Sequence, residues 1–483
     1  MPGGIMQLSA YGGQDYYLTS NPQISFFKNV YRRHSNFSME MISLEPKNNN
    51  TKLKESSDVK IEYFIDRNAD LIKDMYFVFT IPDIYSDNTS KDYKFQWIDR
   101  LGEYIIKEAV FFIESREIDR LYPEWMHIWN ELTCSEGKKN GYNRMIGNIN
   151  DLTNPLKDDG TTYPFDNSKI RTSIKSRKIY VPLPFWFTYC LGSAFPLIAL
   201  QSVQCKVELT LRPFSELYTV VDSGGDSNRK KSPSTTYNLG VFSSSGTTIT
   251  ELDISPTLDI NYIFLDNDER KRFAATEHEY LINAIQKVED IITPSLTSSG
   301  DTNVIDLNIQ HPVSNLSWIF RRSDFKSNNQ FYNFTNWPDK TINPIINATD
   351  YNEYGTEATF DTTNINNLKH KDILKTAVLK FNGTNRFATK DAIEFTLVNN
   401  YQHMPRVPED GIYVYSFNLD YDLKKNQPNG ACNFSRITNA QLELTTIPKE
   451  DSSSSYTYEI IIFAQNFNVL RILGGMGDLE FSN

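Results

Sequence analysis

Histidines next to carboxylates are the first residues in this chain that could do chemistry. A zinc metalloprotease helix carries two histidine ligands four residues apart, with a glutamate after the first as general base. His278 and Glu279 begin that pattern, but Ile282 stands where the second ligand is required. The spacing of the histidines therefore predicts no metal site; the six are His34, His127, His278, His311, His370 and His403.

A search of the sequence for phosphate-binding motifs and for motifs of a catalytic nucleophile likewise predicts no site. The stretch "GGMGDLE" (Gly474–Glu480) only partly matches a dinucleotide loop, because Glu480 takes the place of the third glycine. No Walker A loop and no GxSxG elbow occur, and no carboxylate pair is set apart by apolar neighbours. We expect no catalytic residue, no cofactor and no enzymatic activity.

Cysteine usage and the first residues indicate a reducing compartment. Cys134, Cys190, Cys205 and Cys432 are scattered without a CxxC pair, which favours free thiols. The opening "MPGGIMQLSAYGGQDYYLTS" has neither the basic nor the apolar region of a secretory signal, so we expect synthesis and assembly in the cytoplasm. N-x-S/T sequons, possible glycosylation sites, occur at Asn36, Asn88, Asn315, Asn333, Asn347, Asn382 and Asn433.

The overall charge argues against a nucleic-acid-binding protein. The chain has 60 acidic and 49 basic residues, a net charge of −11. Backbone binding to nucleic acid requires clustered Lys and Arg. The longest basic runs are Arg229–Lys231 and Arg270–Arg272, which are typical of solvated loop charges. We expect no direct contact with nucleic acid.

The elements that would position any site are predominantly strands. In "VKIEYFID", Val59, Ile61, Tyr63 and Ile65 alternate with polar residues, the period of a strand with one buried face. Similar alternation recurs along the chain, which holds 30 Phe and 27 Tyr. Such strands between Asn-, Gly- and Ser-rich turns predict an all-β protein of antiparallel sandwiches. Helical patterning is sparse; the candidates are Tyr122–Thr133 and one or two turns within Glu269–Ile285.

One uncharged stretch, "IYVPLPFWFTYCLGSAFPLIALQSVQC", could suggest a membrane span. Pro182, Pro184 and Pro196 would interrupt a spanning helix near both ends. Its beginning alternates like a strand, so we interpret it as a strand, a crossing loop and the strand that contains Val207 and Leu209.

Two related halves are predicted from an internal repeat. "IYV" at 179–181 precedes "VELT" at 207–210, and "IYV" at 412–414 precedes "LELT" at 442–445. We predict an arm over residues 1–25, a first sandwich over 26–218, a polar linker over 219–252 and a second sandwich over 253–483. The Asn/Thr-rich segment 328–367 is predicted to be a long loop.

Several segments together resemble the major capsid protein of large icosahedral DNA viruses, the phycodnavirus, iridovirus and mimivirus group. They begin with "GGIMQLSAYGGQDYYLTSNPQISFFKNVYRRHSNF" and include "NADLIKDMYFVF", "YVPLPFWF" and "NYIFLDNDERKRFAATEHEYLI". Matches continue through "LKFNGTNRFATK", "GACNFSRITNAQLELT" and "NFNVLRILGGMGDLEFSN". The resemblance covers most predicted strands, while the linker and the 328–367 loop match nothing in the family.

The resemblance implies a double jelly roll, two consecutive eight-stranded antiparallel sandwiches with few short helices and long surface loops. It implies a late structural protein that forms homotrimers, pseudo-hexagonal capsomers that tile an icosahedral shell. Implied partners are neighbouring capsomers, minor capsid and penton proteins, and an inner viral membrane beneath the shell, reached without a transmembrane segment. The arm and the residues that follow it, with Phe26, Phe27, Tyr31, Arg32 and Arg33, are expected either to lie under the shell and contact neighbouring capsomers or minor capsid proteins, or to fold onto their own sandwich.

Two other functions remain open from the residues alone. The aromatic content would also suit a carbohydrate-binding, lectin-like β-sandwich. A jelly-roll enzyme would need a carboxylate pair or a histidine cluster brought together by the fold.

Overall fold

The computed structural model describes residues 3–481, with gaps at 49–50, 87–92, 157–162, 167, 223–229, 232, 234–237, 245–247, 296–301, 337–371, 421–426 and 450–454. The chain divides into two compact units, Met1–Phe37 and Ser38–Asn483.

The first unit is an arm with two short helices, α1 (Gly3–Ser9) and α2 (Asp15–Thr19). Neither helix buries a residue, and the side chains of Phe26, Phe27 and Tyr31 are exposed. The unit continues to Phe37, beyond the predicted end of the arm at residue 25. In its described part, strand structure begins only at the last residue, Phe37, where β1 starts.

Of the strands in the described part of the chain, thirteen precede residue 266. They are β1 Phe37–Leu44, β2 Lys52–Lys54, β3 Val59–Ile65, β4 Leu71–Ile81, β5 Tyr93–Trp97, β6 Ile106–Ile113, β7 Arg116–Leu121, β8 Arg177–Pro182, β9 Cys205–Leu211, β10 Tyr218–Asp222, β11 Lys230–Lys231, β12 Glu251–Asp253 and β13 Thr257–Leu265.

Eleven strands follow. They are β14 His278–Ile292, β15 Thr302–Asp306, β16 Pro312–Arg322, β17 Leu374–Phe381, β18 Thr384–Asn385, β19 Lys390–Asp391, β20 Ile412–Ser416, β21 Cys432–Asn433, β22 Ala440–Thr446, β23 Tyr458–Leu473 and β24 Met476–Leu479.

Helices lie between strands. The α-helices are α3 Leu101–Tyr104, α4 Pro123–Thr133, α5 Glu136–Ile146, α6 Asn150–Thr153, α7 Asn267–Ala275, α8 Ser323–Ser327 and α9 Asn399–His403, the last continuous with a π-helical turn at Glu394–Val398. Short 3-10 turns occur at Trp186–Thr188, Leu191–Ser193, Leu197–Ala199, Phe214–Glu216, Leu239–Phe242 and Phe434–Arg436. The helix predicted over 122–133 is confirmed. Within 269–285 the helix ends at Ala275 and the remainder is strand β14, whose residues pair with β23.

The two halves of the second unit have the same strand order. In the first, the two sheets run β1-β13-β4-β8 and β3-β9-β6-β7. In the second they run β14-β23-β16-β20 and β15-β22-β17-β18, with β19, β21 and β24 added at the sides. Each half is thus an eight-stranded jelly roll, and the predicted fold class is confirmed. We call them roll 1 (β1–β13) and roll 2 (β14–β24).

The strand order corrects the predicted boundary between the halves. β13 was assigned to the second sandwich, but Leu258 and Ile260 pair with Phe77 and Met75 of β4, inside roll 1. The predicted linker 219–252 is therefore the connection between β9 and β13 of one roll. Its described part is anchored by buried Leu239 and Phe242, which its polar composition concealed. The rolls are joined instead at residues 266–277, which contain α7.

The predicted repeat matches topologically equivalent strands of the two rolls. The alignment of its first triplet, however, is offset by one residue. β8 and β20 are equivalent edge strands, and β9 and β22 are equivalent central strands. Within "IYV", however, Tyr180 faces outward while Tyr413 is fully buried. A one-residue shift in a strand exchanges its two faces, so the triplets match in letters and not in orientation.

The uncharged stretch joins the two sheets of roll 1, as predicted. β8 pairs with β4 in one sheet, and β9 pairs with β3 and β6 in the other. Three 3-10 turns carry the chain across, with Phe185, Phe187 and Phe195 buried. Among the described residues, no helix is long and apolar enough to cross a membrane.

In the sheet β14-β23-β16-β20, the strands β23, β16 and β20 are buried on both faces over their central residues. Along β23, Ile460 and Ile462 belong to the core of roll 2. Ile461 and Phe463, which point the other way, belong to the core cluster that also contains Trp125 of α4. Because successive residues of a strand face opposite sides, one strand contributes to two cores.

We predict that neighbouring positions of β23 are equally sensitive to truncation. Ile460→Ala and Ile461→Ala should each lower the free energy of unfolding by about 2–5 kcal/mol, since each leaves a cavity in a different core. Denaturant titration would measure this, with the exposed Ile291→Ala as a control that should change stability by less than about 1 kcal/mol. A small effect at position 461 would contradict the packing of roll 1 against this sheet.

Candidate functional site

Helix α4 of roll 1 forms the centre of the contact between the rolls. Trp125 packs against Phe463 of β23 with ring centroids 5.7 Å apart, and Tyr122 approaches the same ring at 6.1 Å. On the side of its own roll, Trp129 stacks on Tyr189 at 4.3 Å. Every residue from Pro123 to Leu132 is buried, so the helix is covered on all sides.

An ion pair fixes α4 on the outer face of roll 2. Arg321 of β16 contacts Glu124 at 3.0 Å and Glu459 at 2.8 Å, and both Arg321 and Glu124 are almost fully buried. Burial alone would raise the pKa of Glu124, but the charge of Arg321, assisted by Lys287 and Arg212, outweighs it and lowers the pKa. The carboxylate therefore stays ionised inside the contact.

The segment after α8 completes this side of the contact. Asn329 donates from Nδ2 to the carbonyl oxygens of Ser215 (2.8 Å) and Tyr218 (3.0 Å) of roll 1. The Arg212 guanidinium lies 4.5 Å from the ring centre of Phe331. Residues 329–336 are buried, so this part of the predicted 328–367 loop is an internal contact; residues 337–371 lie outside the described residues.

A second, larger ion network joins the rolls beside α4. Arg100, which has a left-handed φ of 55°, contacts Glu103 at 3.2 Å and also Glu131. From roll 2, Arg406 approaches Glu131 at 2.9 Å, and Glu409 lies 3.3 Å from Lys139. Three basic side chains thus compensate three glutamates, two of which are fully buried.

Part of this network has the composition of a metal site. His127, Glu131 and Glu409 bring potential ligand atoms within 4.8 Å of one another. Yet Arg100, Lys139 and Arg406 already contact Glu131, so the positive charge that a cation would supply is present in the protein. The arrangement is that of a structural ion network, and it does not favour a metal centre.

Asp119 is a buried carboxylate that lies outside the two ion networks. It lies at 4% exposure in β7 and accepts a hydrogen bond from the backbone N–H of Trp186 at 3.0 Å. Burial raises its pKa to about 7, although the backbone N–H groups of Trp186 and Arg120 act in the opposite direction. The bond fixes the start of the segment that crosses between the sheets of roll 1.

The predicted sequons fall into three groups. Asn36, Asn382 and Asn433 are exposed. Asn315 in β16 and Asn333 are buried, at 2% and 0%, so the predicted modification at these two is wrong for the folded chain, because a glycan requires an amide open to solvent. Asn88 and Asn347 lie outside the described residues.

The predicted contact residues of the arm, Phe26, Phe27, Tyr31, Arg32 and Arg33, are all exposed. Sequence reasoning missed the ion networks that join the rolls. One signal was present: Glu124 and Glu131 lie in "YPEWMHIWNELT", where apolar residues surround them on every helical face. Their partners Arg321 and Arg406 are far away in sequence, and no local pattern connects them.

Family models match nearly the whole chain. The model for the N-terminus of major capsid proteins matches residues 25–266, and the model for the large eukaryotic DNA virus major capsid protein matches residues 269–478. The junction between the two matches falls at α7, where the structure joins the rolls.

Similar proteins include curated capsid proteins over their full length. The major capsid protein of Phaeocystis pouchetii virus is 34% identical and that of Paramecium bursaria Chlorella virus 1 is 31% identical, each match covering 100% of both chains. The crystal structure of PBCV-1 VP54 superposes with a TM-score of 0.68 at 26% identity, covering 95% of this chain and 100% of that one. The Faustovirus major capsid protein shares the fold (TM-score 0.64, 15% identity), with 98% and 97% of the chains covered.

We predict that the network around Arg100 is essential for stability. Arg100→Met should lower the free energy of unfolding by roughly 3–5 kcal/mol, because buried Glu103 would lose its ion-pair partner and buried Glu131 would keep only Arg406 and Lys139. Arg116→Met, which removes an exposed pair with Asp478, should cost no more than about 1 kcal/mol. Denaturant titration compares the two; equal losses would mean that the buried pairs contribute no more than surface ones.

Asp119 should make stability fall as the pH rises. Between the ordinary aspartate pKa near 4 and its folded pKa of about 7, the folded state retains a proton that the unfolded state releases. Asp119→Asn removes this titration, so its stability relative to the unmodified chain should increase from pH 4 to pH 7 and then level off. Thermal unfolding at a series of pH values would measure the difference, and a constant difference would show that Asp119 titrates normally.

Proposed function

The chain belongs to the family of major capsid proteins of large eukaryotic DNA viruses, and from this premise we propose that three copies assemble into one pseudo-hexagonal capsomer. As a member of this family it is a component of the virion capsid. The observation that carries the proposal is the identical strand order of the two rolls. Three chains with two equivalent rolls each supply six similar units around one axis, the number that hexagonal tiling requires.

The stiffness of a single chain supports a role as a tile. The central strands of one sheet of roll 2 are buried on both faces, and two ion networks cross to roll 1. Contacts between tiles can then be made by side chains and loops without changes in the barrels.

We propose a purely structural role without enzymatic activity. Three buried carboxylates of the described residues have structural partners: Glu124 pairs with Arg321, Glu131 with Arg100, and Asp119 with a backbone N–H. The lectin-like alternative was based on the aromatic content of the chain. Many of those aromatic rings are buried in the two cores, so they do not support it.

The remaining partners follow from the proposed capsomer. Neighbouring capsomers, minor capsid and penton proteins would contact its sides, and the inner viral membrane would lie beneath it, with synthesis late in infection and assembly in the host cytoplasm. We propose that the arm makes contacts below the shell, because Phe26, Phe27 and Tyr31 are exposed beside Arg32 and Arg33. Among the described sequons, Asn36, Asn382 and Asn433 are the proposed glycan acceptors.

The proposed capsomer predicts a defined mass. Purified protein in size-exclusion chromatography with light scattering should have a mass close to three times 55.7 kDa, independent of concentration over the micromolar range. A chain that stays monomeric at all concentrations would contradict the proposal.

A further inference from the structure

Roll 1 contains a cleft where α4 meets the strands β4 and β8. It has a volume of about 190 Å³ and also borders α5 and the segment 183–188. The side chains of its floor are buried; they are Met75, Met126, Trp129, Asn130 and Leu183. The rim is half-exposed and includes the polar side chains of Asp74, Thr133 and Tyr142. An apolar floor with a few polar groups is the usual composition of a site for a small molecule.

Asn130 is the polar side chain of the floor. It is 5% exposed, and among the described residues its Nδ2 has no hydrogen-bond acceptor. Native proteins rarely leave a buried amide unpaired, because the group has lost its water and gained nothing in return. A half-turn about the last side-chain torsion exchanges Nδ2 and Oδ1, so this amide can turn either a donor or an acceptor toward a molecule that enters the cleft.

The rest of the floor favours an aromatic ring. Met75 and Met126 each carry a thioether, which makes favourable contacts with aromatic rings. Trp129 adds an indole, which is held in place by stacking on Tyr189 with ring centroids 4.3 Å apart. An apolar cavity of about 150 Å³ is large enough for benzene. At about 190 Å³ the cleft therefore has room for one ring with a small substituent.

The rim selects the kind of substituent. The carboxylate of Asp74 repels an anion and accepts hydrogen bonds from N–H groups. Tyr142 donates its hydroxyl proton to Glu103 at 2.6 Å, so its oxygen is left to act as an acceptor. A substituent that carries both an N–H and a carbonyl group would suit these acceptors and Asn130 together. A neutral carboxamide has this combination.

We propose that the cleft binds a small neutral aromatic carboxamide, a single ring that carries one amide group. The ring packs against Met75, Met126 and Trp129, and the amide exchanges hydrogen bonds with Asn130. Binding fills the space beside α4, the helix at the centre of the contact between the rolls. A bound molecule would therefore stabilise the folded chain in proportion to its occupancy. This inference goes beyond the proposed capsomer and does not depend on it.

Three probes of similar shape test the ligand class. Benzamide carries the amide, benzoate replaces it with an anion, and toluene offers the ring without hydrogen bonds. Saturation-transfer NMR on the purified full-length chain should show saturable binding of benzamide. Benzoate and toluene should each bind at least about tenfold more weakly, the effect of one hydrogen bond. Equal affinities for the three probes, or no saturable binding of benzamide, overturn the proposal.

Substitution and methyl labelling test the location. Asn130→Leu keeps the shape of the side chain and removes its amide, so benzamide should bind about tenfold more weakly while thermal unfolding occurs at no lower temperature. Asn140→Leu, on the exposed surface of α5, is the matched control and should bind benzamide as the unmodified chain does. Of the nine methionine methyl groups, those of Met75 and Met126 should shift most on titration. Equal binding by the two variants, or shifts confined to other methionines, would show that this cleft is not the site.

Discussion

The structure depends on a sheet whose central strands face a core on both sides. In β23 alternate residues enter different cores, so Ile460 and Ile462 stabilise roll 2 while Ile461 and Phe463 hold roll 1 in place. A strand of an isolated sandwich has a polar outer face, and here that face is apolar over the central residues. Movement between the rolls would expose this surface to water, at about 25 cal/mol for each Å². The relative position of the rolls is consequently part of the fold.

Charged residues make this contact specific in orientation. Arg321 pairs with Glu124 where α4 crosses the sheet, and Arg406 reaches Glu131 at the other network. Apolar packing alone tolerates sliding, whereas a buried charge that loses its partner is costly. The two networks therefore define where the helix lies along the strands, and the aromatic contact of Trp125 with Phe463 provides the buried area.

The sequence was informative where a physical constraint acts locally. Alternation along "VKIEYFID" predicts a strand because one core enforces it, and Pro182, Pro184 and Pro196 exclude a spanning helix by their own geometry. Composition misplaced the boundary of the halves, since a segment that is polar overall is anchored by a few buried side chains, among them Leu239 and Phe242. The ion networks could not be predicted, because Arg321 lies almost two hundred residues from Glu124 and their pairing follows from the packing of the rolls.

The short connection at α7 also has a consequence for synthesis on the ribosome. β13, the last strand of roll 1, precedes α7, so roll 1 can close before any strand of roll 2 has been made. The outer face of α4 then stays uncovered until Phe463 has been synthesised, some two hundred residues later. At a synthesis rate of 5–20 residues per second, the nascent chain exposes the apolar face of α4 to solvent for about ten seconds or more. During that interval, neighbouring nascent chains on one polysome expose the same apolar face of α4, and their crowding would favour mispairing between chains.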